Sequence, residues 1–143
     1  TGAGRGAKAI KIVKQGDTFV AQELWSNPDL APQFNTPVLE QGALFGLSNT
    51  GNLYCIDAQT GQTAWVDDTQ RDRGGFTGIV DAGSCLMALP SNSELIVFKP
   101  DTKAYTEIAH YKVADTATYA CPVVSGRTIY VKDESAVTKW AIE

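Results

Sequence analysis

The chain has 143 residues, 43% of them hydrophobic, with a formal net charge of −4 and a pI near 4.9. This is enough apolar material for one packed domain. It carries no basic stripe, which argues against nucleic acid or an anionic membrane surface as partner, and no apolar run approaches the roughly 20 residues of a membrane-crossing helix.

Residues 1–8, opening Thr1-Gly2-Ala3-Gly4-Arg5-Gly6, read as a flexible lead-in without an apolar signal core. Ala9 to Lys14 and Thr18 to Trp25, either side of a Gln15-Gly16-Asp17 turn, read as two strands, and with the loop that follows they make a unit over 9–33. From Phe34 onward a 42-residue period takes over. Leu53, Leu95 and Val137 share one phase; Ile56, Phe98 and Trp140 share a second; Leu47, Leu89 and Val131 share a third. The units run 34–75, 76–118 and 119–143. Each opens on Phe34, Phe76 or Tyr119 with a short first strand, then turns at Gly42, Gly83 or Gly126, where a residue free to take positive φ closes a hairpin. Second strands follow at Ala43 to Leu47, Cys85 to Leu89 and Thr128 to Val131, and polar turns lead into the third strands.

A period in the low forties, built of strands too short to bury their own apolar faces, predicts an all-β fold of four-stranded antiparallel blades, a β-propeller. The strand count is two, four, four and three, about three blades of a larger seven- or eight-bladed ring. An open arc leaves sheet edges unpaired. The expectation is therefore the C-terminal part of a longer chain, whose remaining blades close the ring and whose N-terminal strand completes the last blade. The alternative is an arc standing alone with capped edges. Pairing two copies end to end would make a five-stranded blade and does not close evenly.

Cys55, Cys85 and Cys121 are an odd number without CxxC spacing and read as small buried residues. His110 is the one histidine, so a multi-histidine metal site is not available. The acidic pairs Asp67-Asp68 and Asp133-Glu134 lie in separate turns and read as solvated. Gly74-Gly75 lacks the strand-to-helix setting of a phosphate loop.

The sharpest local pattern is Cys55-Ile56-Asp57-Ala58-Gln59-Thr60-Gly61-Gln62-Thr63-Ala64-Trp65. Asp57 can bond the backbone of its own turn, Gly61 supplies positive φ, and Trp65 carries a large apolar face into the gap between blades. The spacing of Asp57, Thr60, Gly61 and Trp65 resembles the tryptophan-docking repeat of pyrroloquinoline quinone (PQQ)-binding-like propellers, AxDxxTGxxxW, with Cys55 in the place of Ala. In the next unit Lys99-Pro100-Asp101-Thr102-Lys103 stands where the Asp and Gly belong, with Glu107 or Ile108 at the Trp place. Tyr119 to Val131 also resembles the inner hairpin of such blades.

The resemblance implies a commonly bacterial, exported protein, placed in the periplasm or beyond. The family holds two kinds of member. Quinoprotein dehydrogenases keep PQQ and Ca²⁺ in the central channel with a catalytic Asp, whereas others have lost the cofactor and act as scaffolds, one of them assisting outer-membrane protein assembly. The docking motif is common to both and stabilises blades.

The expected function is therefore a non-catalytic scaffold or protein-interaction module without cofactor; the alternative is the partial cofactor domain of a PQQ- and Ca²⁺-dependent dehydrogenase. Propeller geometry directs attention to the loops that join consecutive blades at the channel face. There Gln33, Asn35, Arg71, Arg73 and Thr77 are the candidates to converge on a ligand or a partner protein or peptide.

Overall fold

Alternating side chains and tight glycine turns fold the chain into antiparallel meanders. The computed structural model describes residues 5–72 and 74–142. Its strands are β1 (Ala7–Gln15) and β2 (Thr18–Asn27); β3 (Val38–Glu40), β4 (Ala43–Leu47), β5 (Leu53–Asp57) and β6 (Thr63–Val66); β7 (Thr77–Asp81), β8 (Leu86–Pro90), β9 (Glu94–Phe98) and β10 (Glu107–Lys112); and β11 (Val123–Ser125), β12 (Thr128–Lys132) and β13 (Val137–Ala141). They form one sheet of two strands, two of four and one of three, each with neighbours in chain order. The four-stranded antiparallel blade inferred from the period is what the chain builds.

Local chemistry adjusts the edges of this plan. β1 begins at Ala7, ahead of Ala9, because Ala7 and Lys8 pair with Asn27 and Ser26 and the Lys8 ammonium meets Glu23 at 2.9 Å. Two of the three first strands are cut short. Pro37 and Pro122 have no N–H for a ladder, so β3 and β11 keep three residues each. Phe34 instead makes a single parallel bridge to Phe76, which ties the openings of two consecutive sheets together. The last sheet is also out of step by one: Leu47 faces Leu53, but Val137 faces Lys132 and not Val131. The turn between the strands is the cause: four residues lie between paired Lys132 and Val137, one fewer than the five between Leu47 and Leu53.

The sheets stack face on face and the core lies between them. Phe45, Leu47, Leu53 and Cys55 of the second sheet pack against Leu86, Ala88, Ile96 and Phe98 of the third, all essentially inaccessible to water. Full burial of each large apolar side chain is worth about 1.5–3 kcal/mol. Leu30, Tyr54 and Ile56 close the contact with the β1–β2 hairpin, and Met87, Leu89, Ile129 and Val131 close the last one. Burial raises the Tyr54 phenol well above its usual range.

Candidate functional site

The turn motif is built from its carboxylate outward. One Asp57 oxygen accepts from the Thr60 amide (2.7 Å), the Thr60 hydroxyl (2.9 Å) and the Gln59 amide (3.0 Å). These bonds, the Thr60 amide first, hold the Asp57 carboxyl below its usual range. The pinned turn sets Gly61 at φ +76°, its N–H donating to the Asp57 carbonyl at 2.9 Å. A Cβ there would lie 2.5 Å from the Trp25 ring, so the bare glycine is the floor on which that indole rests. The Trp25 N–H donates to the Ala58 carbonyl at 3.0 Å, and the buried Asn27 amide donates to Gly61 O and Thr63 Oγ1, both at 2.9 Å. The motif is thus a dock for the tryptophan of the preceding sheet.

Trp65 does the same in the next sheet, against a different dock. Its N–H donates to the Asp101 carbonyl at 2.8 Å. The receiving turn is two residues longer, closed by Lys99 N–H to Thr106 O where the first is closed by Asp57 N–H to Gln62 O. The longer turn brings Tyr105 against Trp65, ring centres 5.7 Å apart, and Phe45, Trp65, Phe98 and Tyr105 form one aromatic cluster. Burial and the bond to Glu107 raise the Tyr105 phenol above its usual range. Burial, with Asp57 and Asp101 near, pushes the Cys55 thiol up to about 11.

Neither Glu107 nor Ile108 takes the tryptophan place in the third sheet. Trp25 lies opposite Ala9 and Trp65 opposite Cys55, in each case beside a bulge; opposite Val97, the residue equivalent to Cys55, lies Ala109. The two extra turn residues displace the fourth strand by that amount.

The five loop candidates divide by position. The Asn35 amide donates to Leu47 O at 2.8 Å and Gly75 O at 3.1 Å, and its oxygen accepts from Leu47 N–H at 3.3 Å, so it joins one sheet to the loop that enters the next. Gln33 is exposed and lies over Gly75. Thr77 is the first residue of β7 and is buried, its hydroxyl without a partner among the described residues. Arg71 is set between sheets: its guanidinium meets Asp67 at 2.6 Å, the Tyr105 hydroxyl at 2.7 Å and Glu107 at 3.3 Å, and lies over the Tyr105 ring. Gln33 and Asn35 therefore come together over Gly75, and Arg71 goes elsewhere. Arg73 lies outside the described residues.

One member of each acidic pair has a local partner, and Asp68 and Glu134 are exposed. Asp67 holds Arg71, and Asp133 accepts from Ala136 and Ser135 N–H groups, which lower its pKa. His110 sits 2.5 Å from Glu94 on the neighbouring strand. Among the described residues no three His, Cys, Asp or Glu side chains are grouped to hold a metal.

Sequence reasoning assigns no role to one further feature of this face. The residues that open the units form a row of rings: Phe34 stacks on Phe76 at 4.2 Å between centres with planes 5° apart, and Phe76 meets Tyr119 edge-on at 5.5 Å. Phe34 and Tyr119 are 52% and 64% exposed. The row runs from sheet to sheet beside Gln33, Asn35 and Thr77. Its signal in the sequence is an aromatic residue recurring at the head of each unit.

Neither a family model nor a curated protein matches the chain. Among solved structures it is similar to BamB from Moraxella catarrhalis, at 13% identity and a TM-score of 0.70, over 94% of this chain and 43% of that one. Two computationally designed proteins, Ika8 and Ika4, match at 10% identity over 85% and 87% of this chain and 50% and 100% of theirs, with TM-scores of 0.45 and 0.49. The chain spans less than half the length of the BamB structure, and the likeness to it establishes the fold: four-stranded blades of a larger β-propeller.

Proposed function

We propose that this chain is a non-catalytic propeller module that binds a protein or peptide through the face carrying the Phe34–Phe76–Tyr119 row. The observation that supports this reading is the row itself. The row presents two exposed rings, Phe34 and Tyr119, held by the half-buried Phe76 between them; such rings supply rigid contact area at little cost in side-chain entropy, and aromatic residues are enriched where proteins meet. The polar groups of Gln33 lie beside it for hydrogen bonding along an extended backbone. Placement in an exported bacterial protein, with further blades beside this arc, follows from the resemblance to PQQ-binding-like repeats and belongs to the same proposal.

Two assays separate this from a quinoprotein role. PQQ with Ca²⁺ is titrated into the full chain while dye reduction with alcohols and sugars is followed; neither saturable binding nor turnover is expected. A random peptide library is then selected on the immobilised chain. Peptides that lose at least tenfold affinity on Phe34→Ala/Tyr119→Ala are expected; selected peptides indifferent to that change would sink the proposal.

A further inference from the structure

The last two sheets leave a half-open groove of about 650 Å³ between them, in the size range of about 300–1,000 Å³ typical of ligand sites. Its walls are Met87, Val97 and Ala109 on one side and Ile129, Trp140 and Ile142 on the other, and no lining side chain is charged. The preceding sheet interface shows what such a space holds. There Phe45 stands where Met87 stands here, Trp65 where Ala109 stands, and Phe98 where Trp140 stands, with Tyr105 completing the set. Four rings pack one interface; the other is lined by two, Trp140 and the largely exposed Tyr111, with Met87 and Ala109 in the places of Phe45 and Trp65.

The residues that face the tryptophan place differ in size to match. Ala9 and Cys55 are small opposite Trp25 and Trp65, whereas Val97 is larger opposite Ala109, too little to replace an indole. The groove is also continuous with the packed contact of Met87, Leu89, Ile129 and Val131, so an occupant would extend an existing apolar interface. A neutral ring fits these walls; a charged side chain would be desolvated without a partner.

We propose that this groove binds an indole-sized aromatic side chain presented by a partner protein, in the place that Trp65 fills one interface earlier. The proposal rests on the reading of the chain as a protein-binding module and names the chemistry of a second contact, away from the Phe34–Phe76–Tyr119 row.

Met87 is the one methionine, and it is buried in the groove wall, so a methyl label there reports on this site alone. The full chain, labelled with [methyl-¹³C]methionine, is titrated with N-acetyl-tryptophanamide. A saturable shift of the Met87 methyl is expected, with a dissociation constant on the order of 1 mM or tighter. Val97→Ala/Ala109→Trp, which recreates the pairing of Cys55 with Trp65, should weaken binding at least tenfold and raise the melting temperature. Trp140→Ala removes a ring from the opposite wall, at a residue 40% exposed, and should also weaken binding at least tenfold. A silent Met87 methyl, or a shift undiminished in both variants, would overturn the groove. A Met87 shift that follows protein concentration without probe would assign it to a second copy of this chain and overturn the partner. Failure of the peptide selection would instead remove the protein-binding reading, with the Met87 titration judged separately.

Discussion

Gly61 and Gly42 hold the same backbone conformation, φ +76° and +77°, but in different company. A Cβ on Gly42 would meet nothing within 4 Å, whereas one on Gly61 would lie 2.5 Å from Trp25 Cε3 and 2.6 Å from Cδ2. Gly42→Ala therefore carries only the left-handed penalty, about 1–2 kcal/mol. Gly61→Ala carries that penalty and also drives the indole off its floor. Overpacking costs about 1–3 kcal/mol, and the Trp25 N–H bond to Ala58 O, worth about 1 kcal/mol, is put at risk. Gly61→Ala should therefore exceed Gly42→Ala by roughly 2 kcal/mol, within a total of about 3–4 kcal/mol. Urea unfolding followed by tryptophan fluorescence and by circular dichroism reads both numbers. A red-shifted native emission is expected for Gly61→Ala alone. Equal destabilisation of the two variants, with native emission unchanged, would refute the docking of one sheet's tryptophan on the next sheet's turn.

Arg71→Ala leaves Asp67 almost buried beside Glu107 without its cation, and stability should fall by about 3 kcal/mol in the same urea assay; Asp67→Asn in that background should recover some of the loss. Asp57 has a lowered pKa, so its contribution is complete above the unfolded value near 3.9 and is lost as pH falls through the folded value below that. The urea midpoint of the wild type should consequently fall more steeply than that of Asp57→Ala between about pH 4 and pH 2; parallel curves would contradict the turn geometry. Cys121 is exposed, whereas Cys55 is buried with its thiol pushed up to about 11. Iodoacetamide at pH 8 should label Cys121 in the folded chain and reach Cys55 only on unfolding, as peptide mass mapping would show.

What the sequence discloses depends on how local the cause is. Gly42 and Gly126 mark hairpins because positive φ is a one-residue property, and the pattern of Ala43 to Leu47 and Leu53 to Ile56 reveals a buried sheet by itself. The tryptophan place in the third sheet is misread from sequence because a turn two residues longer between Lys99 and Thr106 looks like any polar stretch until its closing hydrogen bond is seen. Arg71 reads as a loop residue of the channel face, since nothing near it in the chain announces Tyr105 and Glu107, 34 and 36 residues away. The row of Phe34, Phe76 and Tyr119 is visible as recurring strand openers. Its exposure is not, because Pro37 and the short β3 leave Phe34 outside the ladder, and only the stacking of sheets brings the rings together.

The most direct test of the proposed role is hydrogen–deuterium exchange of the full chain with and without a peptide selected from the library. Slowed exchange should concentrate at residues 33–36, 75–78 and 118–120, the three heads of the repeat that carry the aromatic row. Protection confined to other segments, or none at saturating peptide, would contradict binding through that face.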